Sequence, residues 1–155
     1  MKTDFVWTLP TDPAAEPLIL DLAREYDERY GYPSSRELSR YPAEKFSPEH
    51  GGAFLLVLRD GVLAAGGAFM KSSDTAAEVK RVWTSAAFRR QGMARIVMAE
   101  LEREAARRGY TEIELTTGAR QPEAVALYLS LGYRPLFDLD ADWEEISYLP
   151  FAKAI

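Results

Sequence analysis

The chain has no cysteine among its 155 residues and one histidine, His50. The first absence excludes disulfides, thiolate metal sites and a cysteine nucleophile. The second excludes a metal centre built from several histidines, so no metal is expected. Long apolar runs are also missing. The longest, Ala53 to Leu58, is far too short to span a bilayer. The first residues include Asp4, Pro10, Asp12 and Pro13 and lack an extended apolar core, so they do not read as a secretory signal. A cytoplasmic protein with no membrane partner is expected. Basic excess is absent as well. Lys and Arg number 19 against 24 Asp and Glu, a formal charge of −5 with a pI near 5.0. That balance argues against a nucleic-acid partner, which would call for a basic face. The chain contains no G-x-x-x-x-G-K-[ST], no G-x-G-x-x-G and no G-x-S-x-G. P-loop hydrolysis, dinucleotide binding and a serine-hydrolase elbow therefore have no support.

What is present is an ordinary globular composition, 47% apolar and 28% charged. The length suits one domain with a real core, so residues 1–155 are expected to form a single unit. Phe5 to Leu9 reads as a first strand, ended by Pro10. Pro13 to Tyr30 reads as a helix, with Leu18, Leu22, Tyr26 and Tyr30 four apart and Gly31 and Pro33 as its stop. A short helix is expected around Ser35 to Arg40. Phe54 to Leu58 and Val62 to Met70 are strands joined at Asp60-Gly61, a hairpin signal because that turn needs positive φ. Gly66-Gly67 marks a bulge or a close approach.

Glu78 to Thr84 is the next strand, succeeded by a helix from Gly92 to Arg108 and a strand from Thr111 to Thr116. Pro122 suits the first position of another helix, which Gly132 ends. Tyr133 to Phe137 and Glu145 to Phe151 read as final strands, with Pro135 and Pro150 at edges or ends. The unit from Glu78 to Thr116 is a right-handed parallel crossover, and the hairpin before it is antiparallel. These elements imply an α/β mixed sheet of six to seven strands with helices on both faces.

The chemistry centres on Arg89-Arg90-Gln91-Gly92-Met93-Ala94-Arg95, a glycine turn feeding a helix N-terminus. The first backbone N–H groups of a helix lack intrahelical partners, and the macrodipole favours an anion there. Gly92 has no Cβ to block a phosphate, and three arginines add positive charge.

The spacing Arg89-x-x-Gly92-x-Ala94 resembles the Q/R-x-x-G-x-G/A signature of the GNAT superfamily of N-acetyltransferases. A second stretch, Gln121-x-x-Ala124-x-x-Leu127-Tyr128-x-x-x-Gly132-Tyr133, is similar to the family's N-x-x-A-x-x-L-Y-x-x-x-G-F. Gln121 stands where Asn is usual and Tyr133 where Phe is usual. The order of elements agrees over about the last half of the chain. The resemblance implies the GNAT fold and acetyl-CoA as co-substrate. It places the pyrophosphate on Arg89, Arg90, Gln91, Gly92, Met93, Ala94 and Arg95, with a further contact from Gln121.

In thioester aminolysis an amine attacks a carbonyl, charge develops on the oxygen and a thiolate leaves. The oxygen needs a pre-aimed donor, and the amine must lose a proton. The resemblance assigns the donor to a backbone amide at Val82, Trp83 or Thr84, on a strand that splays from its neighbour to admit the pantetheine arm. It assigns Tyr128 to protonate the thiolate. By spacing alone, Ala124, Leu127, Tyr128 and Leu131 form a plain core face, so both readings of Tyr128 stand. Glu78 stands eleven residues before Arg89, a spacing similar to that of the glutamate base in some GNAT histone acetyltransferases, and the resemblance makes it the candidate base; its alternative is a strand-end carboxylate paired with Lys80 or Arg81. Glu25, Tyr26, Tyr30 and Tyr32 lie in the segment that shapes the acceptor site in such a fold, or on a solvated helix face. His50 reads as a surface histidine. A small-molecule primary amine is the expected acceptor. A peptide acceptor, an acyl-CoA-binding module without turnover and a non-enzymatic dimeric scaffold are the alternatives, and a homodimer is compatible with any of these.

Overall fold

The structure is a computed structural model that describes residues 2–30 and 42–155. The expected short helix at Ser35 to Arg40 and the side chains of Tyr30 and Tyr32 lie outside the described residues.

The elements run β1 (Thr3–Thr8), α1 (Glu16–Tyr30), β2 (Ala53–Arg59), β3 (Val62–Lys71), β4 (Ala76–Thr84), α2 (Met93–Arg107), β5 (Glu112–Gly118), α3 (Pro122–Ser130), β6 (Arg134–Pro135), α4 (Trp143–Ile146) and β7 (Tyr148–Ala154), with single 3₁₀ turns between some of them. The strands form one mixed sheet in the order β1-β2-β3-β4-β5-β7-β6. Among the described residues only β4 and β5 are parallel, joined through α2. This is the expected mixed sheet with helices on both faces.

Local chemistry explains the elements. Asp12 opens the turn before α1 by accepting from the Ala14 amide, and Thr8 donates to its other oxygen at 2.6 Å. These two bonds, the Thr8 one first, hold the Asp12 carboxyl below its ordinary range. Asp60 and Gly61 both take positive φ, 49° and 81°, which the two-residue β2–β3 hairpin requires. Gly109 and Gly132 end α2 and α3 with φ of 94° and 89°.

Two apolar clusters cover the sheet. On one face, Val97, Met98 and Leu101 of α2 and Val125 and Tyr128 of α3 pack on Leu55, Phe69, Val79, Leu115 and Phe151. On the other, Leu18 and Leu22 of α1 pack on Phe46, Phe54, Leu56, Met70 and Trp83. Both helical layers come closest at Gly66-Gly67. A Cβ on Gly66 would fall 2.6 Å from the Leu55 carbonyl oxygen and nearer still to Leu18, and one on Gly67 would fall 2.8 Å from Val97.

β4 is not regular. Ala68 pairs with Lys80 but Gly66 pairs with Trp83, so Arg81 and Val82 oppose Gly67 alone. Arg81 takes a φ of 58° to make this bulge. The extra residue flips the facing of the strand. Val79 faces α2, whereas Trp83 faces α1. The parallel ladder to β5 runs from Ala76–Glu112 to Val79–Leu115 and stops there. β5 continues to Gly118 on its other side, paired with β7.

The C-terminal reading needs correction. Glu145 to Ser147 are not strand. Asp142 caps a helical turn, Trp143–Ile146, by accepting from the Glu144 amide. The carboxylate cap outweighs strand propensity here. β7 starts at Tyr148 and reaches Ala154. Pro150 lies inside β7 rather than at a sheet edge, its carbonyl accepting from Leu136. The edge is the two-residue β6.

Gly66→Ala should destabilise the fold by about 1–3 kcal/mol, because its methyl meets a backbone carbonyl that cannot yield easily. Thermal unfolding should show a fall of roughly 3–10 °C in Tm. An unchanged Tm would show that α1 has room to retreat.

Candidate active site

Because β4 and β5 part after Val79 and Leu115, a gap opens between Lys80–Thr84 and Thr116–Gly118. It is a cleft of about 370 Å³. Val79, Lys80, Arg81 and Val82 line one side and Leu115, Thr116, Thr117 and Gly118 the other. α1 contributes Leu22, Glu25, Tyr26 and Arg29, and α3 contributes Tyr128 behind Gln121. Glu78 and Tyr148 complete the lining. A cavity of about 190 Å³ lies at the loop before α2, lined by Thr84, Arg89, Arg90, Gly92, Met93, Ala94, Arg95 and Leu127.

The second cavity has the features of an anion cradle. Arg90 and Gly92 take positive φ, 62° and 75°, and turn the chain into α2. The Ile96 amide is the first to reach back into the helix, to Gly92 O at 3.2 Å. The amides of Met93, Ala94 and Arg95 precede it and have no carbonyl of their own helix to bond. Nothing lies within 4 Å of where a Gly92 Cβ would stand, so the glycine faces open space. The cradle therefore fits a phosphate-bearing ligand. Arg95 donates to Ser130 at 2.7 Å, tying α2 to α3. Gln91 turns back to the Ala87 carbonyl at 3.5 Å.

Tyr128 is 7% exposed, packed edge-on to Tyr133 and tilted to Phe151, each at 5.8 Å. It is a core residue and a cleft residue together. Burial, with Tyr26 second, pushes its pKa up, so it keeps its proton throughout the neutral range. Glu78 sits at the mouth, half-buried, 3.4 Å from Lys80. The strand-end ion pair is therefore present, and it leaves Glu78 in the cleft lining.

The expectation for Trp83 concerned its backbone amide alone. Its side chain is buried under α1, and its indole N–H donates to Asp21 at 2.6 Å. Only its backbone can serve the cleft, because the bulge turned the residue over. Burial opposes ionisation of Asp21, but hydrogen bonds from Arg24 and Trp83 prevail and lower its pKa. Glu25 is paired with Arg89 at 2.6 Å. Its pKa is raised, first by burial and then by the Asp21 charge. Val82 and Gln121 line the cleft, and Thr84 lines the second cavity.

Sequence reasoning missed Tyr148, Arg29 and Thr116 to Gly118 as cleft residues. Tyr148 enters through its register with Gly118. Arg29 is placed by Arg120, whose guanidinium donates to the Arg29 carbonyl while Arg29 donates to the Arg120 carbonyl. Neither contact has a local signal in the chain.

An open mixed sheet with a bulged, splayed parallel pair beside a glycine-led helix start defines an acyl-CoA-dependent transferase scaffold. The model of the acetyltransferase (GNAT) family matches residues 19–133, and the chain belongs to that family. Solved structures agree. One is a Klebsiella pneumoniae protein assigned as an acyl-CoA N-acyltransferase, 25% identical, with a TM-score of 0.75 over 98% of this chain and 97% of that one. A GNAT-family acetyltransferase from Elizabethkingia anophelis with acetyl-CoA bound is 14% identical, with a TM-score of 0.70 over 99% and 98%. The ribosomal-protein-S18-alanine N-acetyltransferase of Escherichia coli is 18% identical, with a TM-score of 0.69 over 99% and 94%. Among functionally curated proteins none matches.

The protein is thus a GNAT-family acetyltransferase. No helix among the described residues is long and apolar enough to cross a membrane.

Gly92→Glu should abolish acetyl-CoA binding in calorimetry, because it puts bulk and negative charge where phosphate must approach. Wild-type affinity in that variant would refute the cradle.

Proposed function

We propose that residues 1–155 act as one cytoplasmic domain that transfers acetyl from acetyl-CoA directly to the primary amine of a small molecule. The observation that carries this reading is the nearness of two spaces. Thr84 and Leu127 line the cradle at Gly92, while Val82 and Tyr128 line the gap between β4 and β5, and Arg89 of the cradle is paired with Glu25 of the gap at 2.6 Å.

Acetyl-CoA supplies an activated acyl group. The chain supplies the rest. The amides of Gln91 to Arg95 hold the pyrophosphate, and Arg90 and Arg95 screen its charge. Past the bulge, amides among Val82, Trp83 and Thr84 that β3 does not use face the gap and can donate to the thioester carbonyl. The buried Tyr128 hydroxyl holds its proton until the leaving sulfur needs it. Glu78 accepts the proton of the incoming ammonium. Gln121, at the start of α3, is positioned to meet the pantetheine arm. Glu25 and Tyr26 line the cleft on the acceptor side, and the resemblance assigns Tyr30 and Tyr32 to that side as well. The cleft lining mixes Glu25, Glu78, Tyr26 and Tyr148 with Arg29, Lys80 and Arg81, and a polar cleft of this size suits a small amine that offers hydrogen bonds better than an apolar one.

Thiol release from acetyl-CoA should be measured with amino sugars, polyamines, amino acids and lysine-rich peptides. Turnover on small amines is expected. Turnover on the peptides alone would contradict the acceptor class, and binding without any turnover would favour a sensing module.

Two variants test the roles. Tyr128→Phe should lower kcat by about 10²-fold with little change in acetyl-CoA affinity. Equal turnover would leave Tyr128 with packing only. Glu78→Gln should remove the rise of rate with pH on the acidic side, since a carboxamide accepts no proton. An unchanged profile would assign the proton to another carboxylate or to water.

A further inference from the structure

The two cavities meet at an ion pair. Arg89 lines the anion cradle, and Glu25 lines the cleft. They are joined at 2.6 Å, with Arg89 half-exposed and Glu25 more enclosed. This contact bridges residues 64 apart and fastens the middle of α1 to the loop that feeds α2.

The other cations near Glu25 are committed elsewhere. Arg24 bonds Asp21 and Glu28. Arg29 pairs with Glu123 and bonds the Arg120 carbonyl. Among the described residues the Arg89 guanidinium has Glu25 as its one hydrogen-bonded partner. Burial works against the Glu25 carboxylate and Asp21 adds a like charge beside it, while Arg89 favours its ionised form.

Two ligands of opposite charge therefore compete for the two halves of this pair. A pyrophosphate in the cradle would carry more negative charge than Glu25, and Arg89 lines that cavity. An ammonium in the cleft offers Glu25 a replacement cation. We infer that the Glu25–Arg89 pair is an exchange switch: pyrophosphate takes Arg89 from Glu25, and the carboxylate it releases becomes the anchor for the acceptor's ammonium. The exchange breaks one ion pair and forms two. It makes cofactor and acceptor binding mutually favourable, because each removes the partner that the other must displace. It rests on the transferase reading above, but its first arm needs no turnover.

The test is a double-mutant cycle on CoA binding, read by calorimetry with CoA as the probe. Glu25→Gln removes the competitor for Arg89 and should tighten CoA binding about two- to five-fold, the range for a partly exposed ion pair. In an Arg89→Met background the same Glu25→Gln change should have no effect. Equal tightening in both backgrounds would mean that Glu25 acts only through its field, and no tightening in either would mean that Arg89 never changes partner. Each result overturns the switch. Absence of CoA binding to the wild-type protein would instead refute the transferase reading. With the amine that turns over best, Glu25→Gln should raise the amine KM by more than it lowers kcat. An unchanged KM would refute the anchor.

Discussion

One extra residue in β4 governs this molecule. Two residues, Arg81 and Val82, stand against Gly67, and the ladder to β5 ends just before them. A parallel pair in the middle of a sheet normally satisfies its amides and carbonyls along its whole length. Here the second half of β4 keeps β3 on one side and leaves the other side to a cleft. Polar backbone in such a gap must meet solvent or a ligand. The same extra residue inverts the facing of the rest of the strand, so Trp83 goes under α1 and locks onto Asp21. The bulge thus opens the gap and ties down the helix that borders it.

The elements around the gap are fixed from several sides. Glycines 66 and 67 let α1 and α2 press on opposite faces of β3 at one level. α2 begins at the far end of β4, so its unpaired amides fall beside the gap. α3 leans on α2 through Arg95–Ser130 and brings Tyr128 into the core and into the cleft wall. α1 is tied across the opening, to the phosphate loop through Glu25 and to the start of α3 through Arg29. The charged face of α1 thus meets both cavities.

Much of this was legible in the chain. Asp60-Gly61 announced the hairpin, Gly92 the helix start and Pro122 the start of α3, because each residue is dictated by local backbone geometry. The Arg89-x-x-Gly92-x-Ala94 spacing likewise marked the turn that lines the second cavity. What stayed hidden depends on contacts distant in sequence. Trp83 could not be assigned to the α1 face, since a period of two read through Val79 puts it on the other. Tyr148 enters the cleft only through its register with Gly118. The Glu25–Arg89 pair joins two segments that gave separate, unrelated signals. Asp142 was a capping residue in plain view, yet the apolar run beyond it favoured a strand reading.

The account stands on acetyl-CoA lying along one path, from the Gly92 cradle into the gap past the β4 bulge. Amide chemical shifts of ¹⁵N-labelled protein during an acetyl-CoA titration trace that path residue by residue. The account predicts saturable shifts that are largest at Lys80 to Thr84 and Gln91 to Ile96, with Thr116 to Gly118 next. Saturable shifts centred elsewhere, or shifts at the cradle with none in Lys80 to Thr84, would contradict it.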